Sequence, residues 1–347
     1  MRSLTLAEEL RNAGAEVQFV TRAHEGNLNG LIEAKGFALC VLPAGQQTGS
    51  SIDASSPNES WLGDTQEQDA EDVIDCLKGS KPDWLITDHY ALDETWEKLV
   101  RPYVKNIMVI DDLADRRHDC ELLLDQNYTR GDLDRYADLV LPSCTKLLGP
   151  RYALLRREFA EARRDYKPKD GTVKRLFVFF GGSDPDNMTR LAMRALSIPE
   201  FGDLEVDVVL GEGNPHRNEI EQLAESRPGT RLHVQVDNIV ELMANADLAI
   251  CAGGSSTWER LCVGLPSLVV TIAENQVPFT RALHDDGFLR WIGPSQDVDE
   301  TAIRKALRDA LRDNAQNGEA SERGFGLVDG NGAIRVVEAL RSYWDLC

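Results

Sequence analysis

The sequence predicts an α/β protein of two doubly wound domains, each built on a parallel sheet. Three observations carry that reading. Short apolar runs alternate with segments of helical periodicity along the chain. The alternation halts at Tyr166-Lys167-Pro168-Lys169-Asp170-Gly171, a linker composition, and then restarts. The 347 residues exceed what one ordinary domain needs. Strands alternating with helices call for parallel sheets with crossover helices. The expected division is residues 1–165, residues 174–330, and a closing helix at 331–347 that packs back on one of the domains.

Leu4, Ala7 and Leu10 recur at helical spacing, and Gly14 supplies the C-cap. Strands follow at residues 16–20 and 38–42, with a helix between them. The polar stretch 46–69 reads as a loop and 70–79 as a helix, followed by strands at 83–88, 106–110 and 122–124. Beyond the linker, strands are expected at 176–180, 205–210, 232–236, 248–251 and 267–272, with helices between most of them. The last helix, 332–344, is amphipathic through Ile334, Val337 and Leu340.

In this fold class ligands sit beyond the carboxyl ends of the strands, so the residues just after each strand are the ones to read. The fullest such segment is Cys251-Ala252-Gly253-Gly254-Ser255-Ser256-Thr257-Trp258-Glu259. A buried strand ends in two glycines and opens into a helix, which lets a phosphate approach the backbone. The next strand delivers Glu274, Asn275 and Gln276 to the same rim, an arrangement suited to a nucleotide carrying a further group. Ser256-x-x-Glu259 has the spacing of a capping box. The same Glu259 carboxylate offers two acceptor oxygens to a ribose, and the cap is the safer assignment from spacing alone.

A second turn, Gly181-Gly182-Ser183-Asp184, closes the first strand of the second half. It is either a plain turn, with Ser183, Asp184 or Asp186 capping the next helix, or a turn that also meets phosphate or sugar. Asp88-His89-Tyr90 ends a strand of the first half and is either a functional pair or a satisfied polar edge. Adjacent Asp111 and Asp112 point to opposite faces of their strand, so they make a poor metal pair, and capping or loop bonding is expected. Arg156 either meets an anion or forms a surface salt bridge. The histidines have no zinc spacing, and neither a Ser-His-Asp nor a Cys-His arrangement is recognisable.

A net charge of -20 argues against a nucleic-acid partner and against an anionic membrane surface. Seven cysteines without CxxC spacing, Cys40, Cys251 and Cys262 among them in apolar runs, suggest buried free thiols in a reducing compartment. The start shows no signal peptide and no apolar run reaches a membrane span, so a cytoplasmic location is expected.

Taken in order, Asp88-His89-Tyr90, residues 110–115, Leu123-Leu124-Asp125-Gln126-Asn127, residues 149–156, the Gly181 turn and the segment from Cys251 to Gln276 resemble a known family. It is that of the UDP-2,4-diacetamido-2,4,6-trideoxy-β-L-altropyranose hydrolases of pseudaminic acid biosynthesis, with the related spore-coat polysaccharide proteins. The resemblance implies two Rossmann-like domains of the GT-B type, with the nucleotide held mainly by the second. It implies water attacking the anomeric carbon of a UDP-sugar with inversion, a histidine as general base, and no metal or organic cofactor. It places Tyr90 on the sugar side and Asn275, with Gln276 beside it, at the sugar or phosphates. It places Gly254 and Ser255 at the diphosphate, Glu259 at the ribose and Ile239 at the uracil, with Arg156, Gly182 and Ser183 as further substrate contacts.

The family begins with a strand and a glycine-rich loop ending in Gly-His-x-x-Arg, and Arg2-Ser3-Leu4-Thr5 looks like the end of that motif. The resemblance therefore places the first strand and the general-base histidine ahead of Met1, and implies that the chain as written is inactive. His89 can be weighed as a substitute base within the chain, but it comes from a different strand end and is the disfavoured reading. Two other readings stand beside hydrolysis: a glycosyltransferase of the same fold using an acceptor other than water, and a sugar-nucleotide binding protein without turnover. Oligomeric state is open.

Overall fold

The computed structural model describes residues 1–24, 26–43, 62–131, 134–236 and 238–343. The chain divides into two compact units. Unit 1 comprises residues 1–127, 131–154 and 333–347, and unit 2 residues 128–130 and 155–332. The final helix thus joins unit 1, while residues 155–165 belong to unit 2.

Through unit 1 run α1 (Arg2–Asn12), β1 (Gln18–Arg22), α2 (Asn29–Ala34), β2 (Ala38–Leu42), α3 (Gln66–Leu77), β3 (Trp84–Thr87), α4 (Glu94–Val100), β4 (Asn106–Ile110), β5 (Leu122–Asp125) and β6 (Thr145–Leu148). β1 and β2 pair in parallel with each other, and β3-β4-β5-β6 form a second parallel sheet. That sheet is buried on both faces. Ile107, Val109 and Leu123 enter one core, with Trp96 and Tyr136, while Met108, Ile110, Leu122 and Leu124 enter another. Successive side chains point to opposite faces, and a parallel sheet covered on both sides needs such continuous apolar runs.

Unit 2 continues with α5 (Arg157–Asp165), β7 (Arg175–Phe179), α6 (Met188–Leu196), β8 (Glu205–Leu210), α7 (Arg217–Ser226), β9 (Thr230–Val234), α8 (Ile239–Asn245), β10 (Leu248–Ala252), α9 (Ser256–Cys262), β11 (Ser267–Thr271), α10 (Val277–Asp285), β12 (Arg290–Pro294), α11 (Glu300–Arg312) and α12 (Asn314–Leu327). Its sheet is parallel in the order β12-β11-β10-β7-β8-β9. The order reverses between β7 and β10, which are hydrogen-bonded neighbours. In such sheets the crevice at the reversal is where ligands bind. Here it brings together the two turns that follow β7 and β10.

Back in unit 1, α13 (Gly332–Ser342) inserts Ala333, Val336, Val337 and Leu340 beside Leu6, Met108 and Leu122. Ile334, expected on the buried stripe, is exposed instead. Ala333, not Ile334, begins the inward row at i, i+3, i+4 and i+7. Trp344, assigned to this helix from sequence, lies outside the described residues.

Several other expectations are corrected. α3 begins at Gln66 rather than at 70, because Thr65 accepts from the Gln68 N–H as an N-cap. Residues 46–61 of the expected loop lie outside the described residues. Strands β6 and β12 had not been expected, since neither Thr-Lys-Leu-Leu nor Arg-Trp-Ile-Gly-Pro is a continuous apolar run. Cys40 is no free thiol: it forms a disulfide with Cys76, joining β2 to α3. Cys120, Cys144, Cys251 and Cys262 are free and buried. No helix among the described residues is long and apolar enough to cross a membrane.

Candidate functional site

The two turns at the reversal point share the sequence Gly-Gly-Ser but differ in what their helices leave open. After β7, the buried Asp184 carboxylate accepts from both Met188 N (2.9 Å) and Thr189 N (2.8 Å). Asn187 Oδ1 accepts from Arg190 N at 3.3 Å. Both capping residues lie in the left-handed region, at φ +39° and +51°, a conformation that Asp and Asn tolerate better than most side chains. The first N–H groups of α6 are therefore filled by the protein's own oxygens. Gly182 and Ser183 remain exposed beside them.

After β10 the situation reverses. Ser255 stands at the N-cap of α9 without a side-chain capping bond. The backbone N–H groups of Gly254, Ser255 and Ser256 have no acceptor among the described residues. Gly253 is packed tightly: a Cβ there would lie 2.8 Å from Thr280 Oγ1 and 3.2 Å from Thr271 Cγ2. At Gly254 the nearest atom to such a Cβ is Gln276 Nε2, 3.8 Å away. Gln276 is fixed by its other amide atom, Oε1, which accepts from Ile272 N at 3.0 Å. Glu274, Asn275 and Gln276 form one 3-10 turn between β11 and α10, with Asn275 exposed.

The expected capping box is not made. Glu259 bonds to no backbone N–H of its helix, and its carboxylate has no hydrogen-bond partner among the described residues. Ser255 rather than Ser256 occupies the N-cap, so the Ser256-x-x-Glu259 spacing falls one residue out of register with it. Burial pushes the Glu259 carboxyl above its ordinary range, and the positive charges of Arg156 and Arg260 offset only part of that rise. Arg156 is ion-paired to Glu158 at 2.6 Å. Ile239 is the first residue of α8 and is buried, while Asn238 caps that helix by accepting from Glu241 N. Asp237, two residues before Ile239, lies outside the described residues.

In unit 1 the carboxyl ends of β3 and β4 carry a second polar cluster. The Arg2 guanidinium donates to Asp88 from Nη2 at 2.7 Å and to Asp112 from Nη1 at 2.9 Å. Ser3 Oγ donates to Asp88 at 2.5 Å. Burial alone would raise the Asp88 carboxyl, but Arg2 and Ser3 outweigh it and hold it low. Tyr90 donates to Asp112, and burial followed by the Asp112 charge pushes its phenol up. Asp111 instead accepts from Ala114 N and Tyr136 OH, both at 3.0 Å. His89 Nδ1 accepts from Ala91 N at 3.1 Å, and burial pushes the imidazole below its ordinary value. The neutral ring then carries its proton on Nε2. Its remaining nitrogen is a donor and is a poor acceptor of a proton from water. No group of three or more His, Cys, Asp or Glu side chains that could hold a metal occurs among the described residues.

Arg260 and Thr280 were missed from the sequence. Arg260 is 1% exposed on a short helix whose neighbours are Trp258, Leu261 and Cys262. A single charge in an otherwise apolar stretch was the available signal. Thr280, with no charge and no motif, offered none.

The fold is shared with known proteins. Residues 176–329 match the glycosyltransferase family 28 C-terminal domain. A crystal structure of MurG from Acinetobacter baumannii superposes with a TM-score of 0.62 and 12% identity, covering 98% of this chain and 95% of that one. The chain has the GT-B fold. Among curated proteins it is similar to the spore coat polysaccharide biosynthesis protein SpsG of Bacillus subtilis, 32% identical over 57% of this chain. That match spans 58% of SpsG, less than two thirds of its length. The UDP-2,4-diacetamido-2,4,6-trideoxy-beta-L-altropyranose hydrolase of Campylobacter jejuni is 26% identical over 62% of this chain and 76% of its own. These likenesses show the GT-B fold for the chain and relate its second half to the family 28 C-terminal domain.

Proposed function

We propose that this chain binds a UDP-sugar through unit 2 and belongs to an enzyme that hydrolyses it. The substrate on this reading is a UDP-linked 2,4-diacetamido-2,4,6-trideoxy sugar. The observation that carries it is the β10–α9 turn: among the described residues, three backbone N–H groups have no acceptor, beside a Glu259 carboxylate that makes no hydrogen bond. In this assignment the diphosphate takes the N–H groups of Gly254 and Ser255, and the ribose hydroxyls donate to Glu259. Ile239 backs the uracil through its backbone. Gln276 and Asn275 lie toward the phosphates and the sugar, with Arg156, Gly182 and Ser183 at the margin.

Water oxygen attacks the anomeric carbon, the bond from that carbon to the β-phosphate oxygen breaks, and its electron pair leaves with UDP. The water's proton passes to a general base. The added charge on the leaving UDP is what the N–H groups of the turn stabilise. The alignment with the altropyranose hydrolase over 76% of that protein supports water as the acceptor. The family 28 match favours a second reading, transfer to another acceptor.

Calorimetry with UDP tests the binding, and a coupled assay of UDP release tests the reaction. UDP binding with release in water alone supports hydrolysis. Release only when an acceptor is supplied supports transfer. Failure of the folded protein to bind UDP would reject both.

A further inference from the structure

We propose that Arg260 is a positioning residue that supplies the buried counter-charge for a diphosphate and turns Ser256 into a hydroxyl donor toward it. This rests on the UDP-sugar reading above. Arg260 is 1% exposed, yet no carboxylate among the described residues lies within ion-pairing distance of it. Its guanidinium is held entirely by neutral acceptors: Ser256 Oγ at 2.9 Å, Thr257 Oγ1 at 3.0 Å, Ser267 Oγ at 3.1 Å and Ala252 O at 3.2 Å. Burying a charge without an opposite one is costly, so such groups are ordinarily paired. Arg260 spends four of its five N–H donors on neutral oxygens, and among the described residues no carboxylate forms an ion pair with it. That combination suits a site whose anion arrives with the ligand.

The four acceptors show where the charge acts. Ala252, Ser256 and Thr257 are the residues of the β10–α9 turn itself. Arg260 donates to Ser256 Oγ, which directs the hydroxyl hydrogen away from the guanidinium. Ser256 is half-buried, and its own N–H is one of the three without an acceptor. A second, independent observation points to the same turn. The Thr280 hydroxyl is fully buried without a hydrogen-bond partner and stands 2.8 Å from where a Gly253 Cβ would lie. One face of the turn thus holds a buried cation, and another an unused hydroxyl.

The test compares UDP with uridine, which differ by the diphosphate alone. The full chain carrying Arg260→Met should bind UDP about 10–100-fold more weakly while uridine affinity holds. Calorimetry reads UDP, and ligand-observed NMR titration reads uridine. Ser256→Ala should lower UDP affinity by about 3–10-fold with uridine again unmoved. Arg260→Lys keeps the charge but loses the fork and should fall between wild type and Arg260→Met. Thermal melts establish that each variant is folded, and if Arg260→Met is not, the Lys and Ser256→Ala variants decide. A merely structural Arg260 would weaken UDP and uridine alike, and that result overturns the proposal while leaving UDP binding intact. Wild-type protein that binds no UDP overturns this inference and the functional reading together.

Discussion

Replacing Glu259 by Gln separates a ligand carboxylate from a structural one, because the two roles predict opposite signs for stability and affinity. Glu259 makes no hydrogen bond among the described residues, so Gln removes no bond from the folded protein. It does remove a half-buried charge. Burial holds the Glu259 carboxyl above its ordinary value, so between the unfolded and folded values the native state binds more protons than the unfolded one. Stability therefore falls as pH rises through that window, which opens at the ordinary carboxylate value. Glu259→Gln should flatten this slope and leave the protein as stable as wild type at neutral pH, or slightly more so. Affinity should move the other way. Two ribose hydroxyls donating to a carboxylate contribute about 1.5–3 kcal/mol each and are not additive. Gln retains one acceptor oxygen, so the expected loss is about 2 kcal/mol, roughly 30-fold in Kd.

Calorimetry should be run with UDP and with 2′,3′-dideoxy-UDP, which lacks both donors. Wild type should prefer UDP by at least about 30-fold, and Glu259→Gln should lose most of that preference. The preference in wild type should also shrink as pH falls through the raised Glu259 value, whereas in the Gln variant it should not. Taking the ratio of the two ligands cancels the titration of the phosphate itself, near pH 6. Equal weakening of both ligands, or a folded Gln variant several kcal/mol less stable than wild type, would refute the assignment and return Glu259 to a packing role.

Three further outcomes follow from named contacts. Gly253→Ala places a methyl 2.8 Å from Thr280 Oγ1 and should cost about 1–3 kcal/mol in urea denaturation, with part recovered in the double variant Gly253→Ala/Thr280→Ala. Asp184→Ala strips the acceptors from Met188 N and Thr189 N and should cost about 3 kcal/mol, with Asp184→Asn recovering about half; no change in midpoint would refute the capping account. Opening the Cys40–Cys76 link, which spans 36 residues of sequence, should destabilise unit 1 by about 4 kcal/mol on the chain-entropy account. The check is the melting temperature of Cys40→Ser/Cys76→Ser, and UDP affinity through unit 2 should not change.

The architecture was legible because period and composition are local properties. Runs such as Asn106-Ile107-Met108-Val109-Ile110 announce a strand covered on both faces, and the linker composition after Tyr166 announces a restart. Strands β6 and β12 escaped for the opposite reason. Lys146 and Arg290 interrupt them, and only their sheet neighbours make them strands. The Cys40–Cys76 bridge joins two elements whose proximity no spacing reveals. At the candidate site, Gly254, Ser255 and Gln276 could be grouped from strand-end position alone. Whether Glu259 would be consumed by a cap could not, since the answer turned on which serine occupies the N-cap. Arg260 was hidden because an arginine in a helix ordinarily faces solvent. Its burial follows from the acceptors that Ala252 and Ser267 bring from the two strands flanking its helix.

The two Gly-Gly-Ser turns form an internal control on what makes a strand-to-helix junction a binding site. They sit on adjacent strands, at the same end of one sheet, and each opens into a helix. Glycine content and the parent sheet are shared, so neither distinguishes them. The difference lies in where each helix begins: α6 starts at Met188, four residues beyond Asp184, whereas α9 starts at Ser256, directly after its Gly-Gly-Ser. Asp184 puts a carboxylate onto two backbone N–H groups and neutralises the positive end of α6 from within. Ser256 carries no charge, and its oxygen is engaged by Arg260, so the N–H groups of its turn are left without acceptors and a cation is added behind them. Glycines permit close approach by a ligand, but they do not decide whether anything is left for it to bind. A negative charge at the head of α9 tests the distinction. Ser256→Asp should weaken UDP binding by well over 10-fold, because it sets a carboxylate against the diphosphate, while the melting temperature holds or rises. Retained UDP affinity in that variant would place the diphosphate elsewhere.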